Sequence, residues 1–343
     1  MLNVYNSNYE RIGFIESYSY LGWVRRYVGV GEFELKCAPE NLSLLSLGNI
    51  VAKANDKEGG VIEIITLESV EKEMLTVHGR FLSVVLESRI IWETENLNDD
   101  IGTCIEQLIN NNAINPVDMN RVIPDLSYEY ALVGKSISMQ VSYKNLLEAV
   151  TSILSETAVG IKGVLTSHGI SLSLYNGREL PFVFSREFEN LLSQNYTNSI
   201  KDYANTAKVA GEGEGNARQI VIIGSETGIN RKEIFIDAKD LRLSEYENNE
   251  KYLAALKLRG NEKLFEKRRR ESFDAVANTN SNLSYRVDFD LGDIVTVKST
   301  LLGISKRLRI TEITETYDAN GLHVDLVFGD PLPTLNERLK GVI

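Results

Sequence analysis

Several residues that build well-known active sites are scarce in this chain of 343 residues. Its two cysteines, Cys37 and Cys104, are far apart in sequence, which excludes a four-cysteine metal site and a disulfide framework. Its three histidines, His78, His168 and His323, form no i, i+4 pair and no HExxH pattern, so a zinc hydrolase is unsupported and no metal site is predicted. We expect all three to be half-exposed residues in or beside strands. A GxSxG elbow is also missing, while a Cys–His pair assembled by folding stays open.

The sequence motifs of phosphate-binding and calcium-binding loops are matched only in part. The GKS sequence at 134–136 resembles the end of a phosphate loop, but the first glycine of that motif would fall at Glu129. The glycine-rich GEGEG at 211–215 carries two carboxylates, which would repel phosphate. The aspartates of DFDLGD (288–293) lack the spacing of an EF-hand. We therefore expect no cofactor, although folding could still bring two carboxylates together for glycoside hydrolysis.

Long apolar runs and an excess of basic charge are missing too. No run of about 18 apolar residues occurs and the N-terminus lacks a secretory signal, so we expect no membrane anchor and synthesis in a cytoplasm. The 37 basic and 48 acidic residues give a net charge of −11, which argues against sequence-specific binding of nucleic acid. The 43% hydrophobic content is typical of a folded protein, and the length suggests about two or three domains.

The first ninety residues have the pattern of short strands. A glycine-bearing turn joins two strands within 20–38, and in the second strand Phe33, Leu35 and Cys37 alternate with charged residues. A second hairpin is predicted over 61–70 and 71–79, with Ile62, Ile64 and Thr66 sharing one face. This spacing indicates a small barrel or sandwich.

The middle of the chain alternates between helix and strand patterns, which predicts an α/β unit. The expected elements are a short helix at 81–88, a strand at 89–93, a helix capped by Asn98 or Asp99 that ends near Asn112, and a helix capped by Ser142 with a buried stripe of Leu146, Leu147, Val150, Ile153 and Leu154.

The last part of the chain is predicted to contain strands at 198–211, 217–225, 231–238, 285–297, 304–318 and 322–328, with one long helix at 244–277 that is weakened at Gly260. Within that helix, Lys267, Arg268, Arg269 and Arg270 are adjacent and would point around its axis. They could pair with neighbouring glutamates on a solvated helix, or contact an acidic partner subunit.

The order of these motifs resembles the tail-hub, or baseplate-hub, proteins of long-tailed bacteriophages and phage-tail-like bacteriocins of Gram-positive hosts. The residues that carry the resemblance are WVRRYVGVGEFEL (23–35), VIEI (61–64), VHGRFL (77–82), RIIW (89–92), FVFSREFENLLSQNY (182–196), the strands around GEGEG, the charged helix, GDIVTV (292–297) and VFGDP (327–331). The resemblance covers nearly the full chain.

The resemblance implies an α+β fold in which two small β-barrel-like domains flank an α/β domain, with a long charged helix inserted in the second barrel. The implied domains are a first barrel at 1–92, an α/β domain at 93–197, a second barrel at 198–243 and 284–330, the inserted helix at 244–283, and a C-terminal tail at 331–343.

The resemblance also gives architectural roles to eight positions. Three side chains would fill the first barrel, a glycine would permit a sharp change from strand to helix, two arginines would bind carboxylates or carbonyls near the barrel rim, and a Gly-Asp pair would form a turn. In that order, these are Trp23, Phe33 and Leu35, then Gly79, then Arg80 and Arg89, then Gly292 and Asp293. The two rim arginines and the four basic residues at 267–270 are candidate interface residues.

The implied function is structural and not enzymatic. Three chains would form a ring that presents six similar barrel surfaces to the sixfold tail tube and joins it to a threefold tail tip or spike. Expected partners are other copies of the chain, the tail tube or distal tail protein, the tape-measure protein, and a spike, fibre or lysin at the tip. Some relatives carry an enzymatic or fibrous C-terminal extension. Because nothing long follows Ile343 here, we expect that part to be a separate chain.

The expected location is the tail tip of a virion or tail-like particle assembled in the bacterial cytoplasm. Two alternatives stay open, namely a tail-associated peptidoglycan hydrolase that uses two carboxylates, and a receptor-binding tail module. The sequence leaves open whether the particle is a phage or a bacteriocin and whether its tail contracts.

Overall fold

The computed structural model describes residues 1–69, 73–246 and 248–330. The predicted tail at 331–343 and the tip of the hairpin between 61–70 and 71–79 lie outside these residues. Within them, the first strands are β1 Leu2–Tyr5, β2 Arg11–Ile15, β3 Tyr20–Arg26, β4 Glu32–Cys37, β5 Ile50–Lys53, β6 Gly59–Ser69 and β7 Glu73–Phe81.

The middle of the chain mixes strands and helices. Its elements are β8 Glu95–Asp100, α1 Ile101–Ile109, β9 Leu126–Glu129, β10 Ser136–Val141, α2 Leu146–Thr157, β11 Gly160–Leu165, β12 Ile170–Tyr175, β13 Glu179–Phe184 and β14 Leu191–Ser199. The remaining elements are β15 Thr206–Ala210, β16 Ile220–Ile223, β17 Glu233–Asp237, α3 Asn249–Glu266, β18 Arg270–Ala277, β19 Ile294–Ser299, β20 Ile304–Asp318 and β21 Gly321–Gly329. The fold is therefore rich in β structure with helices in separate segments, as the α+β expectation requires.

One large sheet holds most of the strands. Its order is β14-β18-β21-β20-β3-β4-β7-β6-β5-β1-β2, with β19 also paired to β20 and β13 paired to β19. Among the described strands this path does not close into a barrel. The predicted hairpins are confirmed, because β3 pairs antiparallel with β4 and β6 pairs antiparallel with β7.

Strands β1 to β7 contribute to a first core of buried side chains. Its members are Leu2, Val4, Ile15, Leu21, Trp23, Phe33, Leu35, Cys37, Leu45, Val51, Ile62, Leu75, Val77 and Phe81. The period of two in β4 explains its share, because alternate side chains of a strand point to the same face. Complete burial of one large apolar side chain contributes about 1.5–3 kcal/mol.

The prediction that Ile62, Ile64 and Thr66 share one face of the second hairpin is wrong beyond Ile62. The pairing of β6 with β7 shifts by one residue between Ile62 and Ile64, which is a β-bulge. Ile62 is therefore 1% exposed, whereas Ile64 is 55% exposed and Ile65 packs against the first core. A one-residue insertion reverses the face of every following side chain.

The second core is not built from the segments that were predicted to form the second barrel. It is formed by Tyr27, Phe184, Leu191, Phe273, Ala275, Ala277, Leu283, Phe289, Leu291, Val295, Val297, Ile310, Ile313, Val324, Leu326 and Phe328. The strands predicted within 198–238 lie elsewhere, because β15 pairs only with β16 and β17 in a separate sheet. Strands β13 and β14, which were assigned to the α/β domain, belong instead to the large sheet.

The described residues divide into two compact units, one of 1–137, 141–196 and 272–330 and one of 138–140 and 197–271. In the second unit, α3 packs on the small sheet through Tyr252 and Leu256, which are fully buried. Gly260 lies inside α3 and does not break it. A Cβ there would lie 2.2 Å from Ile223 Cδ1, so glycine is needed for close packing on β16.

The long helix predicted at 244–277 is too long at both ends. It spans only Asn249–Glu266 in the structure, and residue 247 lies outside the described residues. The chain then forms β18, in which Phe273, Ala275 and Ala277 are buried. Their period of two matches a strand, and burial in the second core overrides the helical propensity of the charged segment.

Four smaller predictions in the middle of the chain are corrected. The helix at 81–88 is a 3-10 helix at Leu82–Ser88, and residues 89–93 form no strand beyond one bridge between Ile90 and Asn145. Asp100 and Asn145 cap α1 and α2, in place of the residues predicted from the sequence. The buried stripe predicted for α2 is confirmed.

Candidate functional site: a buried ion-pair network

Arg25 lies at the centre of a network of buried and partly buried charged groups in the first unit. Although its side chain is only 7% exposed, it donates to both carboxylate oxygens of Glu58, at 2.6 and 2.7 Å. Its Nη1 also donates to Asp290 at 2.5 Å and to the Tyr285 hydroxyl at 2.9 Å. Burial alone would lower the pKa of Arg25, but the hydrogen bond and charge of Glu58 outweigh burial and raise it. The guanidinium therefore stays charged.

Glu315 is the most buried carboxylate of the network, at 1% exposure. It accepts from Lys53 Nζ at 2.5 Å and Arg286 Nη2 at 3.0 Å, and from the hydroxyls of Tyr317 at 2.6 Å and Tyr285 at 2.9 Å. Burial would raise the pKa of Glu315, but the charge and hydrogen bond of Lys53 lower it to about 2. This carboxylate is thus held in its ionised form.

Arg286 connects the carboxylate of Glu315 to that of Asp56. Its Nη2 lies 2.8 Å from Asp56 and 3.0 Å from Glu315. The nearby Lys53 Nζ is 3.4 Å from Asp56. The pKa of Asp56 is lowered because Arg286, the backbone N–H of Glu58 and Lys53 together outweigh the effect of burial. Arg286 has a φ of +67°, a strained conformation for a side chain of this size.

We call this network the polar clasp; its members are Arg25, Lys53, Asp56, Glu58, Tyr285, Arg286, Asp290, Glu315 and Tyr317. Residues 53–58 lie at the end of β5 and in the turn that leads to β6, beside the first core. Residues 285–290 lie before β19, beside the second core, where Tyr285 packs against Phe289. The clasp therefore ties segments of the first core to segments of the second.

Two carboxylates of the clasp, Glu315 and Asp56, are suited to holding structure and not to acting as general acids. A general acid needs a carboxyl with a raised pKa, whereas Glu315 and Asp56 have lowered values. Breaking one partner of a buried ion pair is costly, since the other charge is left without compensation. Among the residues that the structure describes, no cluster of His, Cys, Asp or Glu could hold a metal ion.

The residues predicted to fill the first barrel all lie in the first core. Trp23 and Leu35 have no exposed surface and Phe33 is 2% exposed. The ring of Trp23 lies 5.6 Å from that of Phe33 and 4.7 Å from that of Phe81. Aromatic contacts at these distances add to the stabilisation from burial.

The role predicted for Gly79 differs from its place in the structure. Gly79 lies within β7, opposite Phe33, and the strand continues to Phe81 before the 3-10 helix begins. A Cβ at this position would lie 2.1 Å from the Val61 carbonyl oxygen and 2.5 Å from the Phe33 ring. The glycine therefore allows close packing within the sheet and does not mark a change from strand to helix.

The two rim arginines contact groups of this chain. Arg80 binds the carboxylates of Glu63 at 2.7 Å and Glu87 at 2.5 Å. Arg89 donates to the carbonyl oxygens of Arg121 at 2.5 Å and Val122 at 3.3 Å. Their proposed role at an interface stays a prediction.

Gly292 and Asp293 lie in the turn before β19. Gly292 has a φ of +91°, and a Cβ there would lie 2.5 Å from the Tyr27 ring. Asp293 is 3% exposed and accepts from both the backbone N and the Nη2 of Arg178, each at 2.7 Å, and from the backbone N of Asp290 at 2.9 Å. No pattern in the sequence pointed to Arg178 as the partner of Asp293.

The basic residues at 267–270 do not lie within a helix. Lys267 ends α3, the Arg268 guanidinium lies 3.8 Å from the centroid of the Phe265 ring, and Arg269 donates to Asn198 at 2.7 Å. Arg270 begins β18 and donates to the carbonyl of Glu266 at 3.2 Å. These contacts lie within the second unit, and contact with an acidic partner stays a prediction.

The incomplete phosphate loop at 134–136 already binds an anion from the chain itself. The Asp100 carboxylate accepts from the backbone N–H groups of Val133, Gly134 and Lys135 at 2.7–3.1 Å, and from Gly102 at 2.8 Å. Burial raises the pKa of Asp100, but these four bonds lower it overall. The loop therefore ties β8 and α1 to the following turn, and its N–H groups are occupied.

Comparison with known proteins identifies the family. The family model described as "Siphovirus ReqiPepy6 Gp37-like protein" matches residues 1–330. The chain belongs to this Gp37-like family. No curated protein sequence matches the chain.

Solved structures of phage tail proteins have the same fold as this Gp37-like chain. Prophage tail protein gp18 of Listeria monocytogenes has a TM-score of 0.60 at 12% identity, covering 99% of this chain and 98% of that one. A tail protein of Neisseria meningitidis has a TM-score of 0.58 at 10% identity, covering 96% of both chains. The 43 kDa tail protein of prophage MuSo2 from Shewanella oneidensis has a TM-score of 0.58 at 12% identity, covering 95% and 97%. At these identities the similarity establishes the fold.

One further property of the Gp37-like chain concerns membranes. None of its described helices combines the length and apolar character that a membrane crossing requires.

Proposed function

We propose that this Gp37-like chain is a structural component of a phage or phage-tail-like tail, and that it acts as the hub at the tail tip. Three copies form a ring, and each copy presents two β-rich surfaces to the sixfold tail tube above. The ring joins the tube to a threefold tip or spike below. The chain performs no catalysis in this role.

The observation that carries this proposal is the course of β20. Along this single strand, Ile310 and Ile313 lie in the second core, Glu315 lies in the polar clasp, and Tyr317 packs against the first core. One continuous strand and one buried ion-pair network thus hold the two cores together. A hub needs such coupling, because its two tube-facing surfaces must keep a fixed spacing under load.

The proposed partners follow from this role. They are other copies of the chain, the tail tube or distal tail protein, the tape-measure protein, and a spike, fibre or lysin at the tip. The tail-protein fold, shared over nearly the whole chain at TM-scores of 0.58–0.60, supports partners that are themselves tail components.

Two measurements test the proposal. We expect the mass of the concentrated protein to correspond to three chains, and we expect imaging of purified particles to find three copies at the tail tip. A chain that stays monomeric and is missing from particles would contradict the hub role.

The hydrolase alternative has its own test. Asp274 and Asp325 lie on neighbouring strands, and burial raises the pKa of both. Lysis of cell walls by the pure protein, lost in Asp274→Asn or Asp325→Asn, would favour a peptidoglycan hydrolase. Binding of the isolated protein to host cells would favour a receptor-binding module.

A further inference from the structure

One surface of the first unit combines basic, aromatic and aliphatic side chains, and we call it the basic-aromatic patch. It consists of Arg89, Ile90, Trp92, Met119 and Arg121. The Arg121 guanidinium lies 4.1 Å from the centroid of the Trp92 ring, which is a stacking distance. Trp92 is 46% exposed, Ile90 48% and Met119 73%. Tryptophan, arginine and methionine are enriched at protein interfaces.

The arginines of this patch donate to backbone carbonyls, and one nearby carboxylate, that of Asp118, only partly offsets their charge. Arg89 donates to backbone carbonyls, and Arg121 donates to the carbonyl of Ile90 at 2.5 Å. Among the described residues, neither guanidinium forms an ion pair with a carboxylate. The neighbouring Asp118 accepts from Asn120 instead, at 2.9 and 3.0 Å. Burial and the charge of Arg89 lower the pKa of Arg121 and outweigh the opposing effect of the Asp118 charge, so the two guanidinium groups repel one another. A carboxylate from outside would relieve that repulsion.

A complementary surface lies in the turn between β13 and β14 of the same unit, and we call it the acidic tip. Glu187 and Glu189 flank Phe188, which is 56% exposed, and Leu192 is 59% exposed. Glu189 has a φ of +56°. Arg186 reduces the net charge of the tip to −1. The tip therefore offers an exposed aromatic ring beside the Glu189 carboxylate, whereas the Glu187 carboxylate already accepts from the backbone N of Thr300 at 3.3 Å.

We propose that the basic-aromatic patch of one copy binds the acidic tip of the next copy. This inference rests on the proposed function, because it names the contact by which copies form a ring. Such a contact joins two different surfaces, and contacts of this kind close into rings when the rotation permits. Phe188 and Trp92 supply the apolar area, and Glu189 supplies a carboxylate that can pair with Arg121.

Charge reversal tests the contact directly. In sedimentation experiments with the full chain, Arg121→Glu and Trp92→Ala each weaken self-association at least about 30-fold, as expected for interface hot spots. Glu189→Arg weakens it too, and the double variant Arg121→Glu with Glu189→Arg recovers most of the loss. The matched control is Arg11→Glu, an exposed arginine outside both surfaces, which changes association by less than about twofold.

Tryptophan fluorescence gives a second measurement. The chain has two tryptophans, and Trp23 has no exposed surface. A change in emission with protein concentration therefore reports on Trp92, and we expect a shift to shorter wavelength as copies associate. Thermal melting of each variant by circular dichroism shows whether it is folded.

The outcomes separate this inference from the hub role. A trimeric wild type whose association is unchanged in folded Arg121→Glu and Trp92→Ala would overturn the contact and leave the hub role intact. A wild type that is monomeric at every concentration would overturn both. If Arg121→Glu and Glu189→Arg each weakened self-association and the double variant did not restore it, the pairing of these two surfaces would also be contradicted.

Discussion

The buried carboxylate of Glu315 shows how a single residue can join two cores. It is 1% exposed, yet four side chains donate to it, two of them cationic. An ionised carboxylate loses several kcal/mol of hydration on burial, which its partners must offset. The polar clasp is therefore sensitive to the loss of any one charge, in contrast to the exposed ion pairs of this chain.

The first prediction concerns that charge. Glu315→Gln keeps the shape of the side chain but leaves Lys53 and Arg286 with less compensation. We expect the free energy of unfolding of the first unit to fall by about 3 kcal/mol, measured by urea denaturation. The control is Glu179→Gln, which removes the partner of Arg307 in an ion pair that is 74% and 51% exposed. That control should cost less than about 1 kcal/mol, and an equal loss in both variants would contradict the role of the clasp.

The second prediction concerns pH. The pKa of Glu315 in the folded chain is about 2, below its ordinary value of 4.5. A carboxyl with a lowered pKa contributes stability that is complete above pH 4.5 and is lost as pH falls towards 2. The difference in unfolding free energy between the wild type and Glu315→Gln should therefore shrink as pH falls from 4.5 to 2. A difference that stays constant over this range would mean that Glu315 does not titrate as the clasp requires.

At the scale of elements, local patterns predicted the existence of strands and helices better than their ends and partners. The hairpin β3–β4 and the buried stripe of α2 follow from periods of 2 and 3.6 in the sequence. The β-bulge after Ile62 could not be predicted, because it depends on how β6 meets β7. Likewise the helical composition of 244–277 concealed β18, since the strand forms through pairing with β21.

The clasp could not be predicted from sequence patterns, because its members lie far apart along the chain. Arg25 and Asp290 are 265 positions apart, and Lys53 and Glu315 are 262 apart. No local spacing links such residues. The aspartates of 288–293 were visible as a group, but only the fold shows that Asp290 binds Arg25 and that Asp293 binds Arg178.

The third prediction tests the cap of α2. Asn145 accepts from the backbone N of Leu147 at 3.0 Å and of Glu148 at 3.3 Å. Asn145→Ala should therefore lower the free energy of unfolding by about 1 kcal/mol. Ser142→Ala is the matched control, because sequence analysis chose Ser142 as the cap and the helix begins beyond it. Chemical denaturation that shows the larger loss in Ser142→Ala would mean that the helix begins earlier than described.

At the scale of the whole molecule, the two units have separate apolar cores. In the second unit, Tyr252 and Leu256 of α3 pack with β15 and β17. Both tryptophans belong to the first unit, Trp23 in its core and Trp92 on its surface. Tryptophan fluorescence therefore follows the first unit, whereas hydrogen exchange can follow each unit separately.

The last prediction uses this difference to ask whether the units unfold separately. Leu256 is fully buried in the second unit, and Leu256→Ala should lower the stability of that unit by about 2–5 kcal/mol. We expect faster hydrogen exchange in 206–266 with no change in the denaturation midpoint measured by fluorescence. Leu35→Ala, a matched deletion in the first core, should shift the fluorescence midpoint instead. If Leu256→Ala moved the fluorescence midpoint as far as Leu35→Ala does, the two units would unfold together as one cooperative body.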